Sequence, residues 1–141
     1  MHLLEPRTET TKDRGQAVLE LALILPVVVL LIFGALEVGR VLNAWVIVTE
    51  AAREGARVAA ARCTRTANCG TLVDAGVTSA LSGLDLDRSD WSMSGGAYVA
   101  GNPVTVDVEY RAPLIVPLIS AFFGNNVDEV TVRGRTTMRL E

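Results

Sequence analysis

An α+β fold is predicted for this chain: a long N-terminal helix that is first transmembrane and then amphipathic, a second helix, and a small antiparallel sheet. Three observations predict it. From Leu21 to Leu36 there is no charged residue. From Glu37 to Arg62 apolar residues recur with the helical period. From Ser89 onward the alternation switches to a period of two, as in half-buried strands.

The 141 residues leave room for one modest domain beside a membrane segment, and half of them are apolar against 21% charged. Residues 1–14 are polar and hold three acids and three bases, so they read as a disordered leader. Counted from Ala17, the apolar run to Leu36 is 20 residues with Glu20 as its one charge, about 30 Å of helix. A secretory signal would have an apolar region of roughly 7–15 residues before a small-residue cleavage site. Here helix-like sequence continues, so a retained span is expected. Pro26 removes a backbone hydrogen bond inside it, and a local kink is expected there. Arg7, Lys12 and Arg14 precede the span, whereas Arg40 and Arg53 follow it, a balance that favours a cytoplasmic N-terminus.

In the amphipathic stretch Trp45, Val48, Ala52, Gly55, Ala56 and Ala59 fall on one stripe, with Glu50, Arg53, Glu54 and Arg57 on the far side. Small side chains on the stripe let another element approach closely, so Ala52, Gly55, Ala56 and Ala59 are expected to be helix-packing positions. Taken alone, the stripe packs against its own domain in preference to a neighbouring subunit. The helix ends near Cys63–Gly70, where Asn68 and Gly70 supply turn chemistry and Cys63 and Cys69 can close a small loop. A second helix is expected from Thr71 to Leu84, capped by Thr71, with Leu72, Val73, Val77, Leu81 and Leu84 on its apolar side. Gly76 weakens it.

Val104, Val106, Val108 and Tyr110 alternate with Thr105, Asp107 and Glu109, which marks a strand. A second strand follows from Val130 through Val132, Thr136 and Met138 to Leu140, and Trp91 with Met93 mark a third that turns at Ala100–Pro103. Short connections make the pairing antiparallel. The apolar stretch from Ala112 to Gly124 is too short to cross a membrane and reads as a short helix or loop plugging the sheet.

Catalytic and ligand chemistry find little support. The net charge of −3, with signs mixed along the chain, gives no sign of a nucleic-acid surface, and no nucleic-acid partner is expected. The one histidine, His2, lies in the leader, so no Ser-His or Cys-His dyad can form in the rest of the chain. Cys63 and Cys69 have no third or fourth metal ligand nearby, and no cofactor is implied. Gly95, Gly96 and Gly101 sit in hairpin-like surroundings and not in a strand-to-helix phosphate loop. Asp85, Asp87 and Asp90 lack the glycine and distal glutamate of a calcium loop and read as a solvated loop.

Glu20 remains to be explained, since a carboxylate at the centre of a membrane helix costs roughly 2.5–3.5 kcal/mol on insertion scales and far less at the interface. Its context is Arg14-Gly15-Gln16-Ala17-Val18-Leu19-Glu20-Leu21. This pattern resembles a class III (prepilin) signal, with a polar leader, glycine at the cut and glutamate fifth in the mature chain. Together with two later blocks, FGALEVGR at 33–40 and AAREGARVAA at 51–60, it closely resembles the TadE-like family of pilus-assembly proteins, minor pseudopilins of tight-adherence (Flp, type IVc) pili. The resemblance covers roughly residues 14–61.

That resemblance implies a pilin-like fold inserted in the cytoplasmic (inner) membrane with its N-terminus inside. It implies cleavage between Gly15 and Gln16 by a prepilin peptidase, with other pilins or pseudopilins and the pilus assembly platform as further partners, and a final place in the membrane or in an extracellular pilus. The corresponding segments are a leader at 1–15, a transmembrane helix at 16–36, its amphipathic continuation at 37–62, and a periplasmic α+β domain at 63–141. Glu20 would then serve assembly: cleavage frees an α-amino group at Gln16, and a neighbouring helix shifted along the bundle can bring that cation to the carboxylate. In this topology Cys63 and Cys69 face an oxidising compartment that permits a disulfide, whereas a cytosolic domain would keep both thiols reduced. An uncleaved membrane-anchored periplasmic binding module, with the helix as a tether, is the alternative.

Overall fold

The structure, a computed structural model, describes residues 11–95, 97–114 and 128–141. The chain divides into two compact units, Met1–Leu36 and Glu37–Glu141. One helix, α1 (Thr11–Arg62), contributes to both.

Helix α1 begins earlier than composition suggested. Thr11 to Arg14, read from the sequence as part of a disordered leader, are helical, because no glycine or proline lies between Pro6 and Gly15 to stop the helix growing N-terminally. The rest of that leader lies outside the described residues. Pro26 sits inside α1 without ending it, as apolar membrane helices tolerate. None of the apolar window of the span is buried within the chain. A lipid-facing helix has this property.

The Glu37–Glu141 unit is built on the second half of α1. Helix α2 (Cys69–Ala80) packs on α1, and strands β1 (Ser89–Gly95), β2 (Pro103–Pro113) and β3 (Glu129–Arg139) form an antiparallel sheet in the order β1-β2-β3. Register is set by the alternation read from the sequence: Val108 stands opposite Trp91 on one side and Gly134 on the other. Val104, Val106, Val108, Tyr110 and Ala112 of β2 point inward and are buried. Each fully buried valine contributes about 1.5–3 kcal/mol relative to exposure.

The outward face of the sheet is polar. Arg135 bonds Asp107 at 2.5 Å, Arg133 pairs with Glu109 at 2.9 Å, and Arg111 reaches Asp90 at 3.3 Å. The hydrogen bond to Asp107 raises the Arg135 guanidinium above its ordinary value. Such exposed pairs stabilise weakly, roughly 0–1 kcal/mol each, but opposite charges directly across the β2–β3 ladder favour this register over a slipped one.

Helix α2 differs from its sequence reading at both ends. It starts at Cys69, two residues before Thr71, because the bridge to Cys63 holds the chain where the helix begins; Asn68 occupies the cap position without a side-chain cap bond. It ends at Ala80, four residues before Leu84, and the chain then turns through Gly83 at φ 100°. Val73, Val77 and Leu81 are buried as expected, but Leu72 is 40% exposed, since the i, i+4, i+8 line alone faces the core. Gly76 proves compatible with the helix because a Cβ there would come 3.2 Å from a Val58 methyl. A methyl there would press on the Val58 side chain.

At the far end of the domain the C-terminus docks on α1. Glu141 N–H donates to the Ala60 carbonyl at 3.0 Å, and the Thr64 hydroxyl donates to the Glu141 carbonyl at 2.8 Å. Gly101, at φ 89°, makes the β1–β2 turn and donates its N–H to the Leu140 carbonyl at 2.8 Å. Most of the apolar stretch Ala112–Gly124 lies outside the described residues; its first residues close β2.

The tightest contact of the domain is between β3 and α1. A Cβ built on Gly134 would lie 2.6 Å from the Val48 carbonyl oxygen and 2.9 Å from the Thr49 Cα, both backbone atoms that cannot rotate away. Gly134→Ala is therefore expected to destabilise the domain by on the order of 1–3 kcal/mol. Gly70→Ala, in open space on α2, should instead be neutral or mildly stabilising, by about 0.5–1 kcal/mol. Urea denaturation of the full chain in detergent, followed by near-UV circular dichroism, checks both, and equal midpoints for Gly134→Ala and the parent would refute the contact.

Candidate functional site

The candidate residues of this chain concentrate on α1, which carries three groups in three environments. The first lies in the Met1–Leu36 unit. Gly15, Gln16 and Glu20 are all exposed, and a Cβ at Gly15 would meet nothing within 4 Å. Gln16 and Glu20 are one helical turn apart, on one face of α1. The structure brings no other described side chain to them.

The second group is the run of small residues. Ala52, Ala56 and Ala59 have no exposed surface, and a Cβ on Gly55 would lie 2.6 Å from a Val77 methyl, 3.0 Å from a Val106 methyl and 3.6 Å from a Val73 methyl. These positions therefore carry the chain's own α2 and β2. On the opposite face Glu50 pairs with Arg53 at 2.8 Å and Glu54 with Arg57 at 2.6 Å. The Arg57 hydrogen bond holds the Glu54 carboxyl below its ordinary value, with weak opposition from burial.

Trp45 corrects the sequence reading of that stripe. It shares the angular position of the buried residues but is 50% exposed. Helix α2 meets α1 around Glu54, Gly55 and Val58, about 15 Å further along at ~1.5 Å per residue, and it does not reach Trp45.

The third group was missed from the sequence altogether. Glu37 is the one buried charged residue recorded among those described, 4% exposed, and its carboxylate accepts a hydrogen bond from Arg40 Nη1 at 3.0 Å. It lies on the core face of α1 in line with Val41, Ala44 and Val48. That i, i+4, i+7, i+11 spacing was legible, but a glutamate is ordinarily placed on the solvent side of such a pattern. A buried carboxylate needs its cation, because an unpaired charge there would be strongly destabilising.

Cys63 and Cys69 form a disulfide, with Cα atoms 4.8 Å apart, at the turn from α1 to α2. Both are buried. Among the described residues no cluster of three or more His, Cys, Asp or Glu side chains is arranged to hold a metal. In the acidic loop, Asp85 accepts a hydrogen bond from the Asp87 N–H and pairs with Arg88 at 3.4 Å, while Asp90 pairs with Arg111. A shallow depression on the sheet is lined by Asp90, Trp91, Ser92, Asp107 and Glu109.

A helix with an apolar span and a small-residue packing face is thus the chain's distinctive element. Residues 15–57 match the family model of the TadE-like protein. The TadE-like segment begins at Gly15, includes Glu20 and the Glu37–Arg40 pair, and ends within the small-residue run that seats α2. It points to a Tad pilus-associated protein with an N-terminal apolar helix that fits a single-pass membrane anchor. No curated protein and no solved structure matches the chain.

The disulfide yields a test. Removing the bridge, by Cys63→Ser with Cys69→Ser, should cost about 2–3 kcal/mol, the loop-closure entropy of so short a loop. Thiol alkylation of unreduced, denatured protein from the native host should leave both cysteines unlabelled. Complete labelling would show that the bridge does not form there.

Proposed function

We propose that the chain is a minor pseudopilin or pilus-assembly protein of a tight-adherence (Flp-type) pilus, with its N-terminus in the cytoplasm and its domain outside the inner membrane. A prepilin peptidase cuts between Gly15 and Gln16, and the mature helix packs with other pilins or pseudopilins in or beneath the filament. The observation that carries this reading is the TadE-like match that starts at Gly15 and runs through the span. Segments follow accordingly, with a leader to residue 15, a span at 16–36, its amphipathic continuation at 37–62 and the periplasmic domain from 63. The work is assembly and not chemistry.

Glu20 has a physical role in that scheme. Cleavage turns the Gln16 nitrogen into a cation one turn, about 6 Å, from Glu20 of its own chain. A neighbouring helix offset along the axis offers the same cation from outside, and pairing in low dielectric is favoured over leaving either charge alone. Axial stagger between helices is selected as a result.

Two outcomes follow. Protein recovered from membranes of cells with an active prepilin peptidase should begin at Gln16 by N-terminal sequencing, and a bulky residue at Gly15 should leave the precursor uncut. A chain beginning only at Met1 or His2 would overturn cleavage. Glu20→Gln should insert and be cut normally, yet crosslink less to pilin-like partners and lower pilus counts. If the variant assembles as well as the parent and a soluble fragment beginning near Cys63 retains all partner binding, the helix is a tether and the chain an uncleaved binding module.

A further inference from the structure

Beyond the charge-free run, α1 carries a second apolar face. Val38, Leu42, Trp45 and Val46 recur at i, i+4, i+7 and i+8, which places them on one side of the helix, and they are 59%, 56%, 50% and 51% exposed. Val41, Ala44 and Val48 face the core of the domain instead. The exposed face ends at Glu50 and Arg53, an ion pair whose two side chains are both 59% exposed.

Length argues for what covers it. With the Glu20 carboxylate at the cytoplasmic interface, the run left for the hydrocarbon is Leu21 to Leu36, 16 residues and about 24 Å of helix, whereas the hydrocarbon core of a bilayer is about 30 Å thick. The missing 6 Å or so extends to about Arg40, and the headgroup zone beyond it, roughly 5–7 Å, extends to about Trp45. Indole is the side chain that settles at that depth, with an apolar body and an N–H that needs a polar partner. Charge is compatible with this placement. Glu37 is buried in the domain and paired with Arg40, and an arginine stem can lie along apolar surface while its head reaches water or phosphate.

We propose that the Val38, Leu42, Trp45 and Val46 face of α1 lies in the headgroup interface of the phospholipid bilayer that α1 crosses, with the Trp45 indole at headgroup depth. The proposal depends on α1 being a membrane span and is independent of cleavage and pilus assembly.

Trp45 and Trp91 are the two tryptophans of the chain. The full chain carrying Trp91→Phe, in phosphatidylcholine vesicles at high lipid excess, therefore reports Trp45 alone. Lipids brominated near the carbonyl end of their acyl chains should quench most of its emission, and lipids brominated near the chain end should quench much less. If Trp91→Phe fails to fold, the difference between the parent and Trp45→Phe in the same vesicles gives the same quantity. Protein that floats with the vesicles but shows no quenching would overturn the proposal while leaving the span intact. Quenching that appears only as protein is diluted into lipid would assign the face to a second copy of the chain and equally overturn it. Failure to float would remove the span and the proposal together.

Discussion

Where β3 crosses α1, the two backbones lie so close that one methyl group at Gly134 would collide with the Val48 carbonyl and the Thr49 Cα. The rest of the domain is arranged around this approach. With the sheet pressed onto the helix, the valines of β2 can reach Gly55, and the narrow space left beside the Ala52–Ala59 run admits α2 only through the small surfaces of Gly55 and Gly76. The helix faces combine backbone and methyl groups, and the sheet supplies the bulk. Packing of this kind has little slack, because interiors are close-packed and an added methylene has nowhere to go.

One consequence is a division of labour along a single helix. The turns between Ala44 and Cys63 are committed to the chain's own core. The face holding Ala52, Ala56 and Ala59 has no exposed surface left for a neighbouring subunit. The earlier turns instead expose large apolar side chains, with Gln16 and Glu20 on one face. The Glu37–Arg40 pair lies at the start of the domain unit, where the helix first carries charge after Leu36. Its acid is covered by the domain and its base is half exposed, so the helix surface there remains compatible with apolar surroundings.

The disulfide and the docked C-terminus secure the opposite end. Cys63–Cys69 closes the α1–α2 turn, and Glu141 bonds to Ala60 and Thr64 nearby, so the last strand is tied to the last turn of α1. Trp91 adds a cross-link by donating its indole N–H to Asp74 of α2 at 2.8 Å. A domain of this size has a limited core, and such ties reduce the freedom of its unfolded chain or satisfy polar groups at its edge. They tie the helices and the sheet of the Glu37–Glu141 unit to one another.

The sequence by itself determined the elements whose physical cause is local. A charge-free run needs lipid or a core, alternating valines in β2 need one covered face, and the blocks beginning at Gly15, Phe33 and Ala51 carried the resemblance to the TadE-like family. Tertiary structure decided what each face meets. Periodicity assigned Trp45 to the buried stripe and left Glu37 unremarked, yet Trp45 is exposed and Glu37 is buried. The physical reason is that a helical wheel records angle and not height: α2 ends its contact with α1 well short of Trp45, and the wheel says nothing of which turns of a face are covered. Alternation likewise gives Gly134 no role, and only the approach of α1 from far away in sequence gives its missing side chain a purpose.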